Sequence, residues 1–253
     1  MELKEKNNKF LILIIIFIIV ISALFFTVNK NKNVKLNEYR LTEYETKLID
    51  YFKEIALKVE FGENINKVIK WKKPMILYVE GNKLHNQQIN AIKKTIKTIN
   101  QLVSDGFYIE LTRNKNNSNA ILYLIDKKNI DKTKFDFYDK IKEDFVGLTE
   151  IEINDNYNII DAKIFINANA PIDIQESVIL EEITQSIGLM NDSNKYPNSI
   201  FYQKQDERKQ MIKEYSQLDK DIIKLLYNPK MKAGFDSMQA EKFIKKILSK
   251  EKP

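Results

Sequence analysis

The sequence predicts an α+β domain, a mixed twisted sheet packed with helices, preceded by one transmembrane helix. Two observations predict it. An uncharged apolar run covers Phe10 to Val28, and beyond it the segments run helix, strand, helix, several strands, then helices only. The chain has 253 residues, which suits one domain plus an anchor, and 43% apolar residues with 11% aromatics supply a core.

Phe10–Val28 consists mostly of Ile, Leu, Phe and Val. A helix of about 19 residues rises roughly 28 Å, close to one hydrocarbon core. A cleaved signal has a shorter apolar run of about 7–15 residues. No small-x-small cleavage site stands at its end and no cysteine offers a lipidation point, so an uncleaved signal anchor is expected. Lys4, Lys6 and Lys9 precede the span while Lys30, Lys32 and Lys35 follow it, so flanking charge does not choose an orientation. A short tail before a large domain is the signal-anchor layout. It places a single-pass protein in the cell membrane with its C-terminal domain outside the cytoplasm. The expected organisation is a tail over 1–9, the transmembrane helix over 10–28, a tether over 29–41 and the folded domain over 42–253.

Thr42 opens the first helix as N-cap with Glu45 as capping-box partner, and Tyr44, Leu48, Phe52 and Ile55 share one face. Trp71 and Pro74 lead into a strand over Met75–Val79. Ile89, Ile92, Ile96, Ile99 and Leu102 mark a second amphipathic helix closed near Gly106. Phe107–Leu111, Ala120–Ile125, Gly147–Ile153 and Ile159–Ile166 read as strands, with Asn114–Asn119 a turn and Gly147 a turn residue. Residues 127–146, charged with aromatic interruptions, carry no assignable pattern. Asp173, with Glu176 as box partner, is expected to cap a helix whose apolar face is Ile179 or Leu180, Ile183 and Ile187 and whose end is Gly188. Ser216 caps the next helix and Asp236 the last, where Ala240, Phe243, Ile244 and Ile247 face the core.

Composition excludes several chemistries. There is no cysteine, so disulfides, iron–sulfur clusters and thiolate zinc sites are out, and His85 is the single histidine, so no mechanism can use two imidazoles of this chain. A net charge of +6 is compatible with anionic partners, but no long basic run is interleaved with aromatics, and no nucleic acid is expected. Trp71 suits a core or cleft wall, as do Tyr202 and Tyr227, and His85 suits the surface.

The informative stretch is Glu181-Glu182-Ile183-Thr184-Gln185-Ser186-Ile187-Gly188-Leu189-Met190-Asn191-Asp192. In zincin peptidases a helix carries His-Glu-x-x-His, whose histidines at i and i+4 share one face and one zinc, with the Glu as general base. In the metzincin branch a glycine then turns the chain so that a third histidine reaches the metal. This segment resembles that frame with the ligands changed. Glu181, Gln185 and Asn191 stand at the degenerate ligand positions, Glu182 at the general-base position and Gly188 at the turning glycine. It is most similar to an uncharacterised bacterial zincin-like domain family with the pattern Glu-Glu-x-x-Gln-x-x-Gly-Leu-x-Asn-Asp-Ser, which Ser193 completes. Ala56 to Gly62, Ser199-Ile200-Phe201, Leu218-Asp219-Lys220-Asp221 and Leu225–Pro229 extend the likeness over residues 43–248. Met211 or Met231 would stand in the region of the zincin methionine turn.

The resemblance implies a zincin-like fold and a site but no reaction. Zinc favours imidazole and thiolate, and neutral amide oxygens are weak ligands for it. The expectation is therefore a degenerate metallopeptidase, leaning against an enzyme, with no metal and no cofactor. Glu182 would be catalytic only if the protein is active, and Gly188, Asp192 and Ser193 would support the loop. The expected role is a membrane-anchored domain that binds a peptide or protein partner outside the cytoplasm in the former peptidase cleft. The alternatives are a hydrolase with an atypical carboxylate and amide site, or a structural envelope protein.

Overall fold

The computed structural model describes residues 40–60, 65–81, 84–126, 128, 146–203 and 211–250. The chain divides into two units, Met1–Leu41 and Thr42–Pro253.

Helix α1 spans Glu43–Ala56 and starts as its residues dictate. The Thr42 hydroxyl accepts from the Glu45 amide at 3.3 Å, and the Glu45 carboxylate accepts from the Thr42 amide at 2.7 Å. Leu48, Phe52 and Ile55 are buried, but Tyr44, grouped with them by spacing, stays 43% exposed and donates its hydroxyl to Asp221. Strands β1 (Lys70–Trp71) and β2 (Met75–Gly81) follow. Helix α2, Asn86–Leu102, buries Ile92, Ile96 and Ile99. Strands β3 (Ile109–Thr112), β4 (Ala120–Ile125), β5 (Gly147–Ile153) and β6 (Asn158–Asn167) come next, then helices α3 (Ile172–Gln185), α4 (Gln217–Leu226) and α5 (Ser237–Lys250). Ser216 caps α4, and Asp236 exchanges hydrogen bonds with Gln239 at the start of α5.

The start of α3 differs from expectation. Pro171 takes the N-cap position, and its carbonyl accepts from Ile174 and Gln175 at 3.0 Å. Asp173 lies inside the first turn instead, and the Glu176 side chain pairs with Lys213 at 2.5 Å rather than with the helix start. Proline's restricted φ suits a helix start, and the Asp173 carboxylate accepts from the Ile174 amide at 3.0 Å from inside the first turn.

The sheet corrects the fold class. Its six strands run in the order β1-β6-β4-β2-β3, with β5 also paired to β6. All pairings are parallel except β5 with β6. This is a mixed α/β domain with a largely parallel sheet, not the expected α+β domain. The reason lies in the connections. Consecutive strands β2 and β3 are joined through α2, which allows parallel pairing, and β3 and β4 lie on opposite edges of β2. Among the described strands, β5 and β6 are the pair joined by a tight turn and the pair that runs antiparallel.

The expected span Phe10–Val28 lies outside the described residues. Among the described residues, no helix is long and apolar enough to cross a membrane. The single-pass anchor, the membrane contact and the cell-membrane localisation are corrected accordingly, because the described helices that bury an apolar face carry charge on the other.

Helix α3 is buried on nearly every side. It packs against α2, β5 and β6, and Gln175 and every residue from Ser177 to Gln185 are buried. Polar groups placed this deep must be hydrogen-bonded internally, and that requirement shapes its last two turns.

Candidate functional site

The last turns of α3 carry Glu181, Glu182 and Gln185, which are 1%, 6% and 4% exposed. Glu182 faces β5. The Thr149 hydroxyl donates to its carboxylate at 2.7 Å and lies 2.9 Å from its backbone carbonyl. Gly147, at the start of the same strand, is no turn residue. A Cβ there would come within 2.2 Å of Val178 Cγ1 and 2.5 Å of Glu182 Oε1, so only glycine lets α3 sit this close to β5.

Beyond the helix, Gly188 turns the chain. Its φ is +108°, and its amide donates to the Gln185 carbonyl at 2.8 Å. A Cβ there would lie 2.2 Å from the Ile69 carbonyl oxygen just before β1. Glycine is required twice over, by the backbone angle and by the neighbouring strand. The flanking carbonyls are held from the same side. Trp71 donates its indole N–H to Ser186 at 2.9 Å, and Tyr227 donates its hydroxyl to Ile187 at 2.8 Å.

The turn brings Asn191, Asp192 and Ser193 back toward α3. The Gln185 amide donates to the Asp192 carboxylate at 3.3 Å, and the Asn191 amide donates to the Asp192 carbonyl at 2.8 Å. Ser193 is buried and forms a short parallel bridge to Tyr202, with the Ser193 amide on the Phe201 carbonyl at 2.8 Å and the Gln203 amide on the Ser193 carbonyl at 2.9 Å. Gln203 also reaches Glu181 at a long 3.5 Å. The structure thus gathers all the singled-out residues at one end of α3.

The donor set does not fit zinc. Gln185 and Asn191 donate their side-chain N–H groups to Asp192, which leaves only neutral amide oxygens, and these are weak zinc ligands. Among the described residues, no group of three or more His, Cys, Asp or Glu is disposed to hold a metal ion. His85 stands at the N-cap position of α2, where its amide donates to Gln88 at 2.7 Å. Met231 is buried in the turn after α4 and Met211 is exposed.

Residues 45–246 match the family described as "Protein of unknown function (DUF2927)". The chain belongs to that family. No curated protein matches it. Membership in the DUF2927 family brings no activity, so the zinc-peptidase likeness rests on the residues alone.

The expected functional role is corrected by the burial of the site. A peptide or protein partner lodged in a former cleft would have to displace the internal contacts of Glu181, Glu182 and Gln185. The hydrolase alternative has no metal-holding cluster among the described residues to work with.

Two networks escaped the sequence reading. Asp219 is buried and accepts from Tyr51 at 2.6 Å, from Ser199 at 2.8 Å and from the Ile200 amide at 3.3 Å, while also closing the capping box of α4 with Ser216. It accounts for the Ser199-Ile200-Phe201 and Leu218–Asp221 segments noted earlier. Lys70 is buried with Asp105 at 2.6 Å and donates to the Leu226 carbonyl at 2.7 Å. The capping-box spacing Ser216-x-x-Asp219 was a visible signal for the first, but nothing in the sequence pointed to Tyr51 or Ser199. A lysine next to Trp71 was the only hint of the second.

Proposed function

We propose that this is a non-catalytic domain, built on a frame like that of a zinc peptidase, in which the former metal-holding helix now braces the fold. The observation that carries the reading is the buried Glu182 carboxylate, which accepts from Thr149 of β5 at 2.7 Å instead of standing open to a substrate water. Glu181, Gln185 and Asn191 support it, because their side chains are spent on Gln203 and Asp192. Without a metal-bound water of lowered pKa, a lone carboxylate has little to activate.

The test has two arms. The unmodified domain, given zinc chloride and a denatured-protein substrate, is expected to show no hydrolysis above buffer. Turnover abolished by Glu182→Gln would overturn the proposal. In the second arm, the triple variant E181H/Q185H/N191H is expected to gain a zinc site of roughly micromolar or tighter affinity by calorimetry, as three imidazoles in a retained frame should. A triple variant that folds by circular dichroism yet takes up no zinc would sink the kinship with the peptidase frame. The paired variant E181H/Q185H serves if the triple variant fails to fold.

A further inference from the structure

A cavity of about 300 Å³ lies among α2, α3 and α4, on a different part of α3 from the motif. Asn90, Ala91, Lys94, Thr95 and Thr98 of α2 form one wall, Glu176 and Leu180 of α3 another, and Lys213 to Tyr215 with Lys220 close the third side. Its volume is at the lower end of the range for small-molecule sites, which runs from about 300 to 1,000 Å³.

Charge is distributed unevenly around it. Two ion pairs stand at the edge, Lys94 with Glu214 at 2.9 Å and Lys213 with Glu176 at 2.5 Å. Both lining carboxylates are therefore already matched. The Lys220 side chain makes no hydrogen bond or ion pair among the described residues, although its charge adds to that of Lys94 in holding the Glu214 carboxyl below the usual range. The inner surface also has an unused polar group. Thr95 is 3% exposed and its hydroxyl has no hydrogen-bond partner among the described residues. A hydroxyl on a cavity wall without a protein partner is open to water or to a ligand. Leu180, Ala91 and the ring of Tyr215 supply the apolar surface, with the Tyr215 hydroxyl turned away to Thr184 at 2.6 Å.

We propose that this cavity binds a small organic carboxylate, its anionic group met by Lys220 and Thr95 and its apolar body laid against Leu180 and Tyr215. Carboxylate suits the site because a cation and a hydroxyl donor both line it while the acidic side chains are neutralised. An apolar body suits it because the remaining wall offers no further donor of comparable burial. The inference does not depend on how the motif end of α3 is read.

The experiment uses a matched pair of probes, 4-phenylbutyrate and 4-phenylbutan-1-ol, titrated into the folded protein and followed by amide chemical shifts and calorimetry. The acid is expected to bind with a Kd of about 1 mM or tighter and to shift the amides around Thr95 and Lys220, and the alcohol at least tenfold more weakly. Lys220→Met is expected to weaken the acid about tenfold and leave the alcohol unchanged. Equal binding of acid and alcohol, no loss on Lys220→Met, shifts confined to residues away from the cavity, or no binding of either probe at 10 mM would each overturn the proposal. Should Lys220→Met fold poorly, Thr95→Val reports on the same donor pair, and the acid–alcohol comparison on the unmodified protein stands by itself.

Discussion

Gly188 and Gly147 are small residues with large structural consequences. Gly188 combines φ +108° with a carbonyl oxygen 2.2 Å from where a Cβ would lie. Alanine there is expected to destabilise by about 2–4 kcal/mol, from backbone strain and the displacement of Ile69 together, measured by urea unfolding. Gly147→Ala acts differently. The backbone angle is ordinary, and the damage falls on Val178 and Glu182, so α3 must shift from β5 or Glu182 must leave Thr149. A cost of about 1–3 kcal/mol is expected. Thr149→Val on the Gly147→Ala background should then add less than it does alone, which a double-mutant cycle reads directly. Gly188 was legible as a helix terminator, because a glycine after an apolar helical face is a stop signal. Its contact with Ile69 was not, since that contact joins residues far apart in the chain. Gly147 was read as a turn for the same reason: nothing local tells a turn glycine from one flattened by a neighbouring helix.

At the scale of the element, α4 shows how one residue can serve two purposes. Asp219 closes the capping box and also receives Tyr51 of α1, the Ser199 hydroxyl and the Ile200 amide. Asp219→Ala removes a cap worth about 1 kcal/mol and strands buried donors at about 1–3 kcal/mol each. The expected loss is about 3–5 kcal/mol, well beyond a cap alone, as judged from chemical denaturation. Ser216→Ala removes the cap and one donor to Asp219 but spares Tyr51 and Ser199, and is expected to cost about 1–2 kcal/mol. Similar losses for the two variants would mean that the Tyr51–Ser199–Asp219 network contributes nothing. Helix α3 carries the opposite lesson. Its amphipathic pattern is weak because it is buried all round, so periodicity located the helix but misplaced its cap and could not say which polar residues lay inside.

For the molecule as a whole, base should be the vulnerable side of the pH range. Tyr51, Tyr215 and Tyr227 are buried phenols whose pKa values are raised chiefly by desolvation. An unfolded tyrosine ionises near pH 10, so above that pH the unfolded chain binds fewer protons than the folded one and stability falls. At pH 11 each phenol is expected to subtract about 1.4 kcal/mol relative to neutral pH. Lys70 has the opposite sign, because burial lowers its pKa despite Asp105. Its contribution rises with pH only up to the unfolded lysine value near 10.4 and is flat above it. Stability measured from pH 9 to 11 should therefore drop, and Tyr51→Phe should shallow that drop. A flat profile across this range would contradict the role given to the buried phenols.

By itself the sequence determined the positions of most strands and helices, the Thr42 and Ser216 caps, the residues clustered at the end of α3 and the absence of imidazole there. These follow from local spacing and side-chain chemistry, which act over a few residues. Only the tertiary structure decided that the sheet is largely parallel, that Glu181, Glu182 and Gln185 are enclosed, and that Lys220 and Thr95 line one cavity. Those outcomes depend on which distant segments meet, and the free energy of such meetings belongs to packing and desolvation across the whole fold.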